Sequence, residues 1–181
     1  MKKTILFPLA AILLLTTGVI TQSLADKQSE VSKGLCAEVA FLQQRTKGNH
    51  YAADLLMTMG DMAKMIDIEP KIYLKDTKYR DICHLKIVKS ANFGDFVSYD
   101  GYHYKQIIKH YPQSSQADNA AYELIYIVDK DQYNYADTGE EKRELEAFVK
   151  KYPKSDKRKE AKARIKEIDT ALKNGGSPIL D

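Results

Sequence analysis

The tightest constraint on this chain is a pattern that occurs twice. Tyr104–Leu124 reads Y-K-Q-I-I-K-H-Y-P-Q-S-S-Q-A-D-N-A-A-Y-E-L, and Leu145–Ile165 reads L-E-A-F-V-K-K-Y-P-K-S-D-K-R-K-E-A-K-A-R-I, offset by 41 positions. Tyr104, Ile107, Ile108 and Tyr111 fall on Leu145, Phe148, Val149 and Tyr152. Spacings of three, one and three put each set on one face of a helix. Pro112 and Pro153 follow at once, and the residue before a proline is driven from the α region, so each helix ends there. Ser114-Ser115 and Ser155-Asp156 are expected to cap a second helix that carries Ala120 and Leu124, or Ala161 and Ile165, inward. Two helix–turn–helix units with matching core positions predict a repeat architecture.

The first 25 residues are of another kind. Lys2 and Lys3 precede a mostly apolar run, Ile5–Ile20, and Ser23-Leu24-Ala25 supplies small residues for cleavage. Residues 1–25 are therefore expected to be a signal peptide cleaved after Ala25. A retained anchor is disfavoured because Pro8, Thr16, Thr17 and Gly18 interrupt the run. No cysteine stands at the cleavage point for lipid attachment. The mature chain, Asp26–Asp181, suits one domain, periplasmic or secreted. Of 28 Lys+Arg, two leave with the leader, so 26 face 25 Asp+Glu. That balance gives no argument for nucleic acid or an anionic membrane, and no stable membrane insertion is expected after cleavage. Lys150–Lys166 departs from it, with nine Lys or Arg opposed by Asp156 and Glu160. Lys150, Lys151, Lys154, Lys157, Arg158 and Lys159 are candidates for an acidic contact.

Export also frames the two cysteines. Cys36 and Cys83 are expected to form one disulfide in an oxidising compartment. The 46 residues between them would make it worth roughly 3–4 kcal/mol by the chain-entropy account.

Along the mature chain, helical spacing and breakers predict about seven helices. They are Gly34–Arg45, Tyr51–Ile68, Asp76 to about Ser90, Asp95–Tyr111, Ser115–Lys130, Glu140–Tyr152 and Asp156–Lys173. Ala91-Asn92-Phe93-Gly94 and Asp131–Gly139 read as connections, and residues 175–181 as a loose tail after a helical domain over 26–174. No strand pattern stands out. The fold class expected is all-α, a short antiparallel helix-pair solenoid with a degenerate N-terminal part, Cys36 and Cys83 lying on its first and third helices.

The signature of an aromatic-x-x-apolar-apolar-x-x-Tyr-Pro-x-Ser helix followed by Ala-x-x-x-Leu resembles tetratricopeptide-like repeats of bacterial envelope proteins. The Tol–Pal accessory protein and the lipoprotein subunit of the outer-membrane β-barrel assembly machine carry such repeats. Asp100 and Glu141 stand where those repeats place a small residue, and 41 residues exceeds their usual spacing. The resemblance implies a scaffold that binds another envelope protein.

Physics points the same way, because stacked helix pairs leave an extended concave surface. With Tyr104, Ile107, Ile108 and Tyr111 in the core, Tyr102, His103, Lys105, Gln106, Lys109 and His110 are expected toward solvent or groove. Twelve tyrosines and no tryptophan favour tyrosine as the interface residue. Tyr99, Tyr102, Tyr126, Tyr133 and Tyr135 are not claimed by the core pattern, and Tyr126 joins the binding set.

Chemistry is weaker. Met57, Met59, Met62 and Met65 invite a Cu(I) reading, but Met59 and Met62 share the stripe of Leu55 and Ile66, where methionine is ordinary filler. His50, His84, His103 and His110 show no ligand spacing. Carboxylate pairs such as Glu140-Glu141 lie on charged helix ends, and no nucleophile elbow, P-loop or dinucleotide fingerprint occurs. Neither enzyme activity, cofactor nor metal is expected. The function expected is an exported adaptor for an envelope protein or extended peptide. A small secreted inhibitor or stress protein acting on an enzyme comes second, and a Met/His metal carrier last.

Overall fold

A computed structural model describes residues 10–90, 94–127 and 138–174, with side chains from residue 27 onward. Among the described residues there are eight helices and two strands. None of these helices is long and apolar enough to cross a membrane. Residues 1–9, Tyr133, Tyr135 and the expected tail at 175–181 lie outside the described residues.

The first helix, α1 (Ala10–Thr46), begins inside the expected leader and ends within a residue of the expected first helix. Its C-terminal half turns Leu35, Cys36, Val39 and Leu42 onto α2 (Ala52–Lys64), a one-sided stripe at helical spacing. From α2 come Met59 and Ala63, with Met57 and Met62 against them; Met65 is exposed. Gly60 is the crossing point with a later helix. A Cβ there would lie 2.4 Å from Cε1 of Tyr104.

The next segment corrects the sequence reading. After a single turn, α3 (Pro70–Tyr73), the third helix expected over Asp76–Ser90 is replaced by another single turn, α4 (Lys78–Asp81), and then a strand. Asp76 does act as a local cap, its carboxylate accepting the Lys78 N–H at 3.1 Å. Beyond α4, Cys83 is buried and bonded to Cys36 with Cα atoms 5.9 Å apart. His84 adopts φ +52°, a left-handed conformation that no helix continues through. Cys83 therefore sits in a turn, although the disulfide itself is as expected. After it, β1 (Leu85–Val88) pairs antiparallel with β2 (Phe96–Tyr99), Leu85 opposite Tyr99 and Val88 opposite Phe96. β-Branched Ile87, Val88 and Val97 suit this pleat better than a helix. The helix expected from Asp95 accordingly starts later, at Tyr102.

The four remaining helices are α5 (Tyr102–His110), α6 (Ala117–Ile125), α7 (Thr138–Lys151) and α8 (Arg158–Lys173). α5 packs on α2 and α6, α6 also on α7, and α7 on α8. Their two connections are built alike. Tyr111 and Tyr152 N–H groups donate to Ile107 and Phe148 carbonyls, Ser114 and Ser155 to Tyr111 and Tyr152, and Ala117 and Arg158 to Ser114 and Ser155. Tyr104 and Leu145, Ile107 and Phe148, and Ala120 and Ala161 are all buried, as the shared pattern requires. Tyr111 is the exception, 38 % exposed. Its φ of −132° at the helix end before Pro112 swings it off the stripe. The expected side-chain caps also differ: neither α6 nor α8 has one. Ser155 Oγ accepts the Lys157 N–H at 3.1 Å, whereas Ser114 Oγ is buried without a partner.

Two apolar clusters result. The larger joins α1, α2, the hairpin and α5 around Val39, Met59, Tyr79, Cys83, Tyr104 and Ile107; Ala120 of α6 closes it. The smaller joins α6, α7 and α8 around Tyr122, Leu145, Phe148, Ala161 and Ile168.

Candidate functional site

The expected patch on α5 divides. Tyr102, Lys105, Lys109 and His110 are exposed and Gln106 is half-buried. His103, expected toward solvent, is only 1 % exposed. The cause lies at the start of α5. Gly101 has φ +80°, and Asp100 Oδ1 accepts the Tyr102 N–H at 2.8 Å. That turn aims His103 at Tyr99 of β2. The Tyr99 hydroxyl accepts the His103 backbone N–H at 2.7 Å and lies 3.0 Å from Nδ1. The other ring nitrogen, Nε2, is buried and without a partner. Burial, with His84 alongside, pushes the His103 pKa down to about 3. His84 stacks on Tyr102 with ring centroids 3.6 Å apart and meets His103 edge-on at 5.2 Å. Its pKa is lowered by burial too, against the pull of Asp100 and Asp81. Tyr99, unclaimed in the sequence, is core. Lys105 reaches back to the Asp100 carbonyl at 2.8 Å. This corner is a cap and a ring stack holding hairpin to helix.

Tyr126 belongs elsewhere. Its hydroxyl lies 3.2 Å from that of Tyr122, and Glu141, Arg164 and Glu160 are the charges that act on it. It packs toward α7 and α8, not with Tyr102.

What the sequence reading missed is a cleft of about 250 Å³ between α6 and α7. Ala121, Leu124 and Ile125 form one wall, and Glu144, Ala147, Phe148 and Lys151 the other, with Tyr152 at the end. Both sets recur at three- and four-residue intervals, so each is one helix face. Each wall carries one alanine, Ala121 or Ala147, where a larger side chain would take up the space. Phe148 and Tyr152 rings stand 5.3 Å apart, and Tyr122 lies 5.3 Å behind Phe148. The Lys151 ammonium sits 5.1 Å from the Tyr152 ring. A cavity of ~150 Å³ holds a benzene, so this cleft has room for one large apolar side chain. Ala147 is exposed at its mouth.

No protein-family model matches the chain, nor does any curated protein or solved structure. The site is therefore read from its own chemistry. Among the described residues no three His, Cys, Asp or Glu side chains gather as a metal site. The rings and carboxylates near α5 are engaged in packing and capping, and the cleft walls offer shape and apolar surface.

Proposed function

We propose that the chain is an exported, non-catalytic binding module of the cell envelope that takes a segment of another protein on stacked, tetratricopeptide-like helix pairs. The carrying observation is the cleft between α6 and α7, the seam between the two helix pairs. A concave apolar site with a few polar groups at its edge is the usual form of a binding pocket. The matched backbone bonds of the two turns support reading α5–α6 and α7–α8 as equivalent units. An aromatic wall of Phe148 and Tyr152 offers large contact area at small entropic cost.

A photo-crosslinker at Ala147, with a second at Tyr102, tests this in an envelope extract. The module reading expects one protein captured at Ala147 and lost when Ala121→Trp fills the cleft. Capture at Tyr102 alone would move the working surface to α5, and silence at both positions would end the reading.

A further inference from the structure

The cleft's own lining carries one acid, Glu144, and one base, Lys151, both on α7; the chain from Lys150 onward is basic. Residues 150–166 hold nine Lys or Arg against two acids, and one of those acids, Glu160, is already paired with Lys157 at 3.3 Å. Lys150, Lys151 and Lys154 are exposed, and no ion pair links them to a described residue. Lys151 lines the cleft itself. The negative end of the α7 dipole accounts for lysines in its last turn. It does not account for Lys154, which lies past Pro153 and outside the helix. Lys150, Lys151 and Lys154 carry like charges close together in the sequence, and an anion beside them relieves their repulsion. Lys151 lies beside the apolar lining of the cleft, where attraction to an anion exceeds that on open surface.

We propose that the segment bound in this cleft is acidic, with one large apolar side chain seated between Leu124 and Phe148 and carboxylates beside it pairing with Lys150, Lys151 and Lys154. The inference rests on the binding-module reading and adds the chemistry of what fills the site.

Fluorescence anisotropy on the purified chain tests it with a short labelled peptide of acidic residues around one phenylalanine. Two control peptides replace every acid by lysine or the phenylalanine by alanine. The acidic phenylalanine peptide is expected to bind at least about tenfold more tightly than either control, less so as salt rises. Lys150→Glu, Lys151→Glu and Lys154→Glu combined should weaken it by a further tenfold or so with the circular dichroism unchanged, since all three are exposed. Ala121→Trp, which fills the cleft from the α6 side, should abolish binding. Equal affinity for the lysine peptide, or unaltered affinity in the triple variant, overturns the proposal. So does binding to phosphatidylglycerol–phosphatidylethanolamine vesicles that the triple variant loses, without peptide binding, because the lysines then serve a lipid surface. If the acidic peptide fails while Ala147 still captures a protein, the charge inference falls and the module reading stands; if capture fails as well, both fall.

Discussion

Two residues carry more of this fold than their neighbours. His103 is buried in its neutral form, its pKa held near 3 chiefly by burial. A histidine in an unfolded chain titrates near 6.5. As pH falls through that value, the unfolded state gains a proton that the folded state refuses, so stability drops down to about pH 3. The loss attached to this one group is on the order of 4 kcal/mol, and His84, shifted the same way, adds to it. Urea midpoints taken from pH 7 to pH 4 should fall less steeply in His103→Gln than in the parent; parallel curves would refute the assignment. Gly60 is the second. Alanine normally improves a helix by about 1 kcal/mol over glycine. Here its methyl would meet the ring of Tyr104 at 2.4 Å, a ring that is buried and donates its hydroxyl to Asp61 at 2.7 Å. Overpacking of this kind costs about 1–3 kcal/mol, so Gly60→Ala should lower the melting temperature. An unchanged or raised value would mean that the α2–α5 crossing has room for a methyl group.

At the scale of elements, what could be read in advance was what local rules decide. Leu145, Phe148, Ala120 and Ala161 were legible as core because helical period and a following proline act within a few residues. The hairpin was not. Four-residue strands such as Leu85–Val88 are too short for a period to declare itself, and the turn at Cys83-His84 depends on a disulfide and a left-handed residue rather than on propensity. His103 was misplaced for a related reason: Tyr99, its partner, sits on a strand that could not be foreseen. The cleft was invisible because its lining, Ala121 on α6 and Ala147 on α7 included, comes from two helices, a matter of register between them. Glu141, an oddity in the repeat signature, acquires a purpose at this scale. Its carboxylate accepts two bonds from Arg164 on α8, 2.8 Å from Nε and 3.2 Å from Nη2, with both side chains mostly buried. A lysine cannot reproduce that fork. Arg164→Lys and Arg164→Ala should both destabilise the α7–α8 pair, the alanine by about 1–3 kcal/mol because Glu141 is left unpaired. Chemical denaturation of the two variants decides it; full rescue by lysine would reduce the pair to simple charge attraction.

At the scale of the whole molecule, the described residues form two packed clusters sharing one helix. The larger holds α1, α2, the hairpin and α5 and is crosslinked by Cys36–Cys83, 47 positions apart. The smaller rests on five buried residues of α6, α7 and α8 and has no crosslink. α6 serves both, Ala120 facing one and Tyr122 the other. Fewer buried contacts mean a lower opening free energy, and regions that bind partners tend to lie at that end of the range. Native-state hydrogen exchange should therefore show α7 and α8 opening before α2 and α5. Removing the disulfide with Cys36→Ser and Cys83→Ser sharpens the test. A loop of this length is worth roughly 3–4 kcal/mol, and that loss falls on global unfolding and on the larger cluster. If α7 and α8 open by themselves, their exchange rates stay as they were while those of α2 and α5 rise by orders of magnitude. If instead all four helices lose protection together, α6 transmits the loss, and the two clusters unfold as one cooperative unit.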